Sequence, residues 1–209
     1  MKLCVIAAAA ALGIVLCGCE TAPIPINYTP SSTLTATGAV QVGDFKYLPA
    51  ITGKMKPNQI HNTAMGTILL EKNVDVFFRD AAFTEMRFIG IKVGTGDKQL
   101  TGTIKEFLID DLGYSVDWTL DVDYVVKDAG GNVVYESDKL TKNHTAKFAN
   151  AFVALNNQIK DNIESLVKDP AFAKVIATDT APAAAPVAAA PAPAPVATPA
   201  AAPAPAPAH

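Results

Sequence analysis

The most regular pattern in the chain runs from Tyr114 to Val126. Tyr114, Val116, Trp118, Leu120, Val122, Tyr124 and Val126 alternate with Ser115, Asp117, Thr119, Asp121 and Asp123. A period of two with one apolar and one polar face predicts a half-buried strand. Its neighbours should be antiparallel, because a parallel strand would be apolar on both faces. Asp128-Ala129-Gly130-Gly131-Asn132 then predicts a hairpin loop, with residues 133 to about 145 returning as the partner strand. Residues 100–109 form another predicted strand. Upstream, Val40, Val42 and Phe45 predict a first strand that stops at Leu48-Pro49. Residues 52–58 read as a loop, 59–65 fit neither period, and 67–70 and 91–93 suit short strands.

Two stretches change to the helical period. After a capping Asn73, the residues Val74, Phe77, Phe78, Ala81 and Ala82, with Phe88 or Ile89, make one stripe that Gly90 terminates. Glu85 and Arg87 are expected nearer the wet side of this helix. From Asn150, the residues Phe152, Leu155, Ile159, Ile163, Leu166 and Val167 make a second stripe, closed by Asp169-Pro170. Residues 171–176 suit one further turn. The expectation is an α+β domain over residues 38–177: a single antiparallel β-sheet of about four strands, with two α-helices packed on one face.

The flanks have no period. Residues 19–37 mix proline, hydroxyl and scattered apolar side chains, which predicts a disordered tether of up to about 60 Å. Residues 178–209 are almost entirely alanine and proline, which predicts an extended disordered tail of about 100 Å. The first 18 residues are different again. Lys2 precedes an apolar run, Leu3 to Leu16, too short to span a bilayer, and this predicts a secretory signal peptide.

The run ends in Leu16-Cys17-Gly18-Cys19, which resembles the bacterial lipobox. The resemblance implies cleavage between Gly18 and Cys19, with Cys19 receiving diacylglycerol on its sulfur. Cys17 fits less well, because Leu16 would then stand at the small-residue position. All three cysteines, Cys4, Cys17 and Cys19, belong to this region, so the mature domain is expected to rely on its hydrophobic core without disulfides. One acyl chain holds weakly, at about 0.8 kcal/mol per buried methylene, whereas the three of a mature lipoprotein give lasting residence. Glu20 follows, where an aspartate would favour inner-membrane retention. The expected address is therefore the periplasmic side of the outer membrane.

The formal net charge of −3 gives no basic surface for nucleic acid. Candidate chemistry is sparse. Asp117, Asp121 and Asp123, with Asp110 and Asp111 upstream, raise the idea of a divalent cation. Alternate strand residues, however, stand about 6.5–7 Å apart and no calcium-loop spacing is present. A solvated face paired with Lys105 or Lys139 is the expected reading. Trp118 is expected in the core. His61 and His144 lack ligand spacing, and Gly94-Thr95-Gly96-Asp97-Lys98 lacks the phosphate-loop pattern and reads as a turn. Lys139, Lys142 and Lys147 around His144 suit an edge strand protected against aggregation. No catalytic residue, metal site or cofactor is expected.

From Phe45 to Ile176 the pattern resembles the YajG-like family of proteobacterial outer-membrane lipoproteins. The resemblance rests on residues 74–83 leading to Gly90, on residues 141–148, and on residues 151–159 opening the last helix. It implies an envelope lipoprotein without established activity and supplies no catalytic residues. The same element order also looks like the auxiliary lipoproteins of lipid-transport and lipopolysaccharide-assembly systems. The expected function is a non-enzymatic envelope binding or structural module held at the membrane by its lipid, with peptidoglycan or an envelope protein complex as partner. An auxiliary subunit of a lipid or lipopolysaccharide transport system is the alternative.

Overall fold

The structure, a computed structural model, describes residues 22–147 and 149–177. The expected signal peptide, the expected cleavage site at Gly18–Cys19, the expected lipidation site Cys19 and the expected tail at 178–209 all lie outside those residues.

Seven strands form one mixed sheet, β1 (Ala39–Tyr47), β2 (Gln59–Asn62), β3 (Gly66–Leu69), β4 (Lys92–Val93), β5 (Gln99–Asp110), β6 (Ser115–Lys127) and β7 (Val133–Ala146). Among the described residues four helices accompany it, α1 (Leu48–Ile51), α2 (Val74–Phe88), α3 (Ala151–Val167) and α4 (Pro170–Ala177). The expectation of one four-stranded antiparallel sheet with two helices is therefore corrected. The antiparallel part is real: β6 pairs antiparallel with both β5 and β7. Yet β1 pairs parallel with β5 and with β4, and β2 pairs parallel with β5. A parallel neighbour needs a crossover connection, and the stretch between β1 and β5 supplies one by carrying α2. Alternation in β6 reports only on its own two neighbours.

Strand β5 is the axis. Its free edge takes β1 up to the pair Tyr47↔Ile104, and then β2 from His61↔Leu108. A bulge between Ile104 and Glu106 sits at this change of partner and leaves Lys105 and Glu106 both on the outer face. The inner face holds the core. Phe45, Phe78 and Tyr124 meet with ring centroids 5.2, 6.0 and 6.4 Å apart. Gly102 makes room for them, since a Cβ there would lie 2.6 Å from the Phe45 ring.

Helix α2 starts at the expected Asn73, although that side chain makes no capping bond, and ends before Gly90 at φ +104°. Helix α3 is capped by Asn150, whose side chain accepts from the backbone N–H of Phe152 and Val153. It meets β7 through polar groups. Asn162 and Gln158, both fully buried, donate to backbone carbonyls of Lys139 and Thr141 respectively. Asn143 donates to Asp161.

At the α3–α4 junction, Asp169 accepts from Lys139 Nζ at 2.7 Å and from Tyr135 Oη at 2.9 Å, and caps Ala171 N. Lys139, more than any other neighbour, holds the Asp169 carboxyl down at about 2. A depressed carboxylate stabilises the fold above its unfolded value and loses that contribution as pH falls toward 2. Asp169→Asn should cost about 1 kcal/mol at neutral pH after solvent screening, a fall of about 2–4 °C in Tm. Thermal melts from pH 7 to pH 2 should show wild type and variant converging at the acid end; a constant gap would remove the ion pair as its cause.

Candidate functional site

Residues 22–37, expected to be a free tether, instead lie along the domain. Ile24 bridges Leu70 in parallel sense, Ile24 N donating to Leu69 O and Glu71 N to Ile24 O. Tyr28 Oη and Ser32 N both donate to the Glu85 carboxyl of α2, at 2.6 and 2.7 Å, and Ser32 Oγ donates to Glu164 of α3. Ala36 N then donates to Ile89 O. The segment thus acts as a strap bonded to both α2 and α3. Burial in the first place, and the Glu85 carboxyl next, push the Tyr28 hydroxyl up, so it stays a donor. Ile24, Ile26, Tyr28, Pro30, Ser32, Leu34 and Ala36 turn toward the domain at alternate positions while the residues between them stay exposed, as in an extended segment laid in a groove.

The strap begins at one pole of the sheet. Three pieces meet there: the β2–β3 turn, the β5–β6 turn and the start of α3. Thr63 joins the two turns, its N donating to Ile109 O and its Oγ1 bonding Asp110 and Asp111 N. Lys147 Nζ donates to Asp111 O and Gly113 O, closing the end of β7 onto the same turn. Asn62, buried, shapes the β2–β3 turn by accepting from Ala64 N and Met65 N. Behind these turns lies a cavity of about 150 Å³ with wholly apolar walls, among them Ile24, Ile26, Met65, Trp118 and Phe152. Its shape and lining suit a methylene chain or an apolar side chain and offer nothing to a polar substrate.

The pole is apolar on its outside as well. Leu112 and Tyr114 project from the β5–β6 turn at 72% and 101% exposure, and Met65 from the β2–β3 turn at 68%. Phe152 and Val153 on the first turn of α3 are half exposed. The sequence patterns place Tyr114 and Phe152 on buried faces, and the structure corrects both. Each is the first member of its series, beyond the last layer of the core. Adjacent turn residues, Gly113 before Tyr114 and the Asn150 cap before Phe152, are the signal that separates them.

The remaining sequence candidates are scattered. Asp121 lies 3.2 Å from Lys105, which also binds Asp138 at 2.6 Å. Burial first, and then Asp138, push the Asp121 carboxyl up, while Asp138 is held down by Asp121 and by Lys105. Lys105 and Asp121 line an outer-face cavity of about 400 Å³ beside the β5 bulge, where His61 also sits. Asp117 meets His144 at 2.7 Å, and Asp111 meets Lys147 at 3.2 Å. Trp118 is buried and donates Nε1–H to Thr145. Gly94 and Gly96, both at positive φ, form the turn before β5. Lys139 faces inward to Asp169, on the opposite side of β7 from Lys142. Among the described residues no three or more His, Cys, Asp or Glu side chains stand where they could hold a metal ion. No helix among them is long and apolar enough to cross a membrane.

No family model and no curated protein matches the chain. Solved bacterial structures are similar to it at low identity. A Xanthomonas campestris protein of family model DUF330 aligns at TM-score 0.49 and 12% identity, over 74% of this chain and 93% of that one. The hypothetical protein CT253 of Chlamydia trachomatis aligns at TM-score 0.39 and 8% identity, over 67% and 96%. Lipoprotein GNA1162 of Neisseria meningitidis aligns at TM-score 0.27 and 9% identity, over 61% and 99%.

Proposed function

We propose that this chain is a bacterial lipoprotein, held through Cys19 on the periplasmic side of the outer membrane, whose domain is a non-enzymatic binding or structural module of the envelope. The observation that carries the reading is Leu16-Cys17-Gly18-Cys19 at the end of a short apolar run behind Lys2. The resemblance to YajG-like lipoproteins supports it. Peptidoglycan or an envelope protein complex is the partner, and the alanine-proline stretch at 178–209 is the segment suited to reach it.

Cys19→Ala should abolish fatty-acid labelling and release the domain to the soluble periplasmic fraction. Continued labelling would overturn the anchor. Fractionation of the wild type on a sucrose gradient checks the outer-membrane address.

A subunit of a lipid-transport system is the second reading, favoured by the wholly apolar cavity between the strap, the sheet and α3. Crosslinking from residues 178–209 and from the Trp118 region, read by mass spectrometry, separates the two by the partner recovered.

A further inference from the structure

We propose that the pole formed by Met65, Leu112, Tyr114, Phe152 and Val153 sits on the lipid bilayer, so that the domain is docked on its membrane rather than suspended from it. The inference rests on the Cys19 anchor proposed above and is indifferent to which of the two roles the domain plays.

The chain's path carries the argument. Ala22 is the first described residue, three positions after Cys19, and fully extended chain spans at most about 3.6 Å per residue, so the lipidated sulfur's backbone lies within about 11 Å of Ala22. Ile24 lies alongside Leu70 in parallel sense, so the chain preceding it heads toward the start of β3 and the Met65 turn. Ile24 and Ile26 share their cavity with Met65 and Phe152, which places the strap's beginning at that pole. A lipid on Cys19 therefore brings this end of the molecule, and no other, to the headgroups.

The end so presented has the matching chemistry. Five large apolar side chains from three separate segments are half or more exposed there. A patch of this kind, made of side chains that the core leaves out, marks an interaction surface. Tyrosine and phenylalanine suit the interface, where an amphipathic or apolar ring rests among headgroups and upper acyl chains. The carboxylates beside the patch are partnered: Asp111 by Lys147, Asp110 by Thr63, and Asp117 by His144. Lys147 spans the β5–β6 turn and offsets the charge of Asp111, so that this carboxylate does not meet the headgroups unpaired. At the far end of β6, about 40 Å away at 3.3 Å per strand residue, the turn is Asp128-Ala129-Gly130-Gly131-Asn132, polar and small.

The mature chain has no thiol besides Cys19, so single cysteines report cleanly. The full-length precursor carrying Leu112→Cys, Val153→Cys or Ala129→Cys is expressed, purified as the processed protein, labelled with an environment-sensitive fluorophore and reconstituted into phosphatidylethanolamine–phosphatidylglycerol vesicles. Nitroxide-bearing acyl chains should quench the labels at 112 and 153 several-fold and leave the label at 129 unchanged. Adding Tyr114→Asp, a change at a fully exposed position, should relieve the quenching at 112 while the N-terminal lipid mass persists. Lipid present with equal quenching at all three positions overturns the docking alone. A label at 112 shielded from aqueous iodide yet not quenched by lipid nitroxide overturns it in favour of a protein neighbour. An N-terminal peptide without lipid overturns both the anchor and the docking that rests on it.

Discussion

Asn162→Ala should destabilise the domain by about 3 kcal/mol, because it leaves several buried polar groups without partners at once. The Asn162 carboxamide oxygen accepts from Tyr124 Oη at 2.7 Å. Its nitrogen lies 2.7 Å from Lys139 O, 3.0 Å from Thr141 Oγ1 and 3.3 Å from Leu120 O. Asn162 and Tyr124 are both fully buried, and burial pushes the Tyr124 hydroxyl well above its ordinary value, so it remains a neutral donor in need of an acceptor. One side chain of α3 thereby bonds β6 and β7 together and fixes the helix over them. Tyr124→Phe removes a single bond and should cost about 1 kcal/mol. Urea denaturation of both singles and the double gives the coupling directly. If Asn162→Ala shifts stability by less than Tyr124→Phe does, the network is not what seats α3.

Much of this architecture was readable because it follows local periods. The Tyr114–Val126 alternation became β6, the stripe from Val74 became α2, and Gly90 ended it where a helix needs a positive φ. The relative direction of neighbouring strands is not readable in the same way. Whether β1 lies parallel to β5 depends on a pairing across more than fifty residues, and neither strand's own alternation encodes the direction of its neighbour. β3 and β4 are legible as short apolar runs at 67–70 and 91–93, but runs this short do not show their partners, and the four residues of β2 show no period at all. Residues 22–37 do alternate, with Ile24, Ile26, Tyr28, Leu34 and Ala36 toward the domain, but Pro23, Pro25, Pro30 and the hydroxyl side chains among them give the stretch the composition of a tether. The exposed pole could not be found from composition, because Tyr114 and Phe152 open apolar series whose first member stands outside the core.

Glu85 is the sharper case. It falls seven residues after Phe78 and four after Ala81, on the buried stripe of α2, yet its charge argues for the wet side. The structure buries it completely, with Tyr28 Oη and Ser32 N as donors. Glu85→Ala should therefore cost about 2–3 kcal/mol, leaving a buried hydroxyl and a buried backbone N–H unmet. Its effect on reach should be larger than its effect on the core. With the strap held, three residues separate Cys19 from the domain and permit about 11 Å; with residues 22–37 released, eighteen residues permit about 60 Å. Hydrogen exchange should show protection lost at Ser32 and Ala36 while β5 and β6 keep theirs, and limited proteolysis should cut within residues 22–37. Glu85→Gln, which retains one acceptor oxygen, should fall between wild type and alanine. Unchanged protection at Ser32 in Glu85→Ala would mean that apolar contacts of Ile26 and Leu34 hold the strap without the carboxyl. The expected outcome makes one buried carboxyl a principal determinant, beside the Ile24, Ser32–Glu164 and Ala36 bonds, of how far the domain stands from Cys19, its proposed anchor.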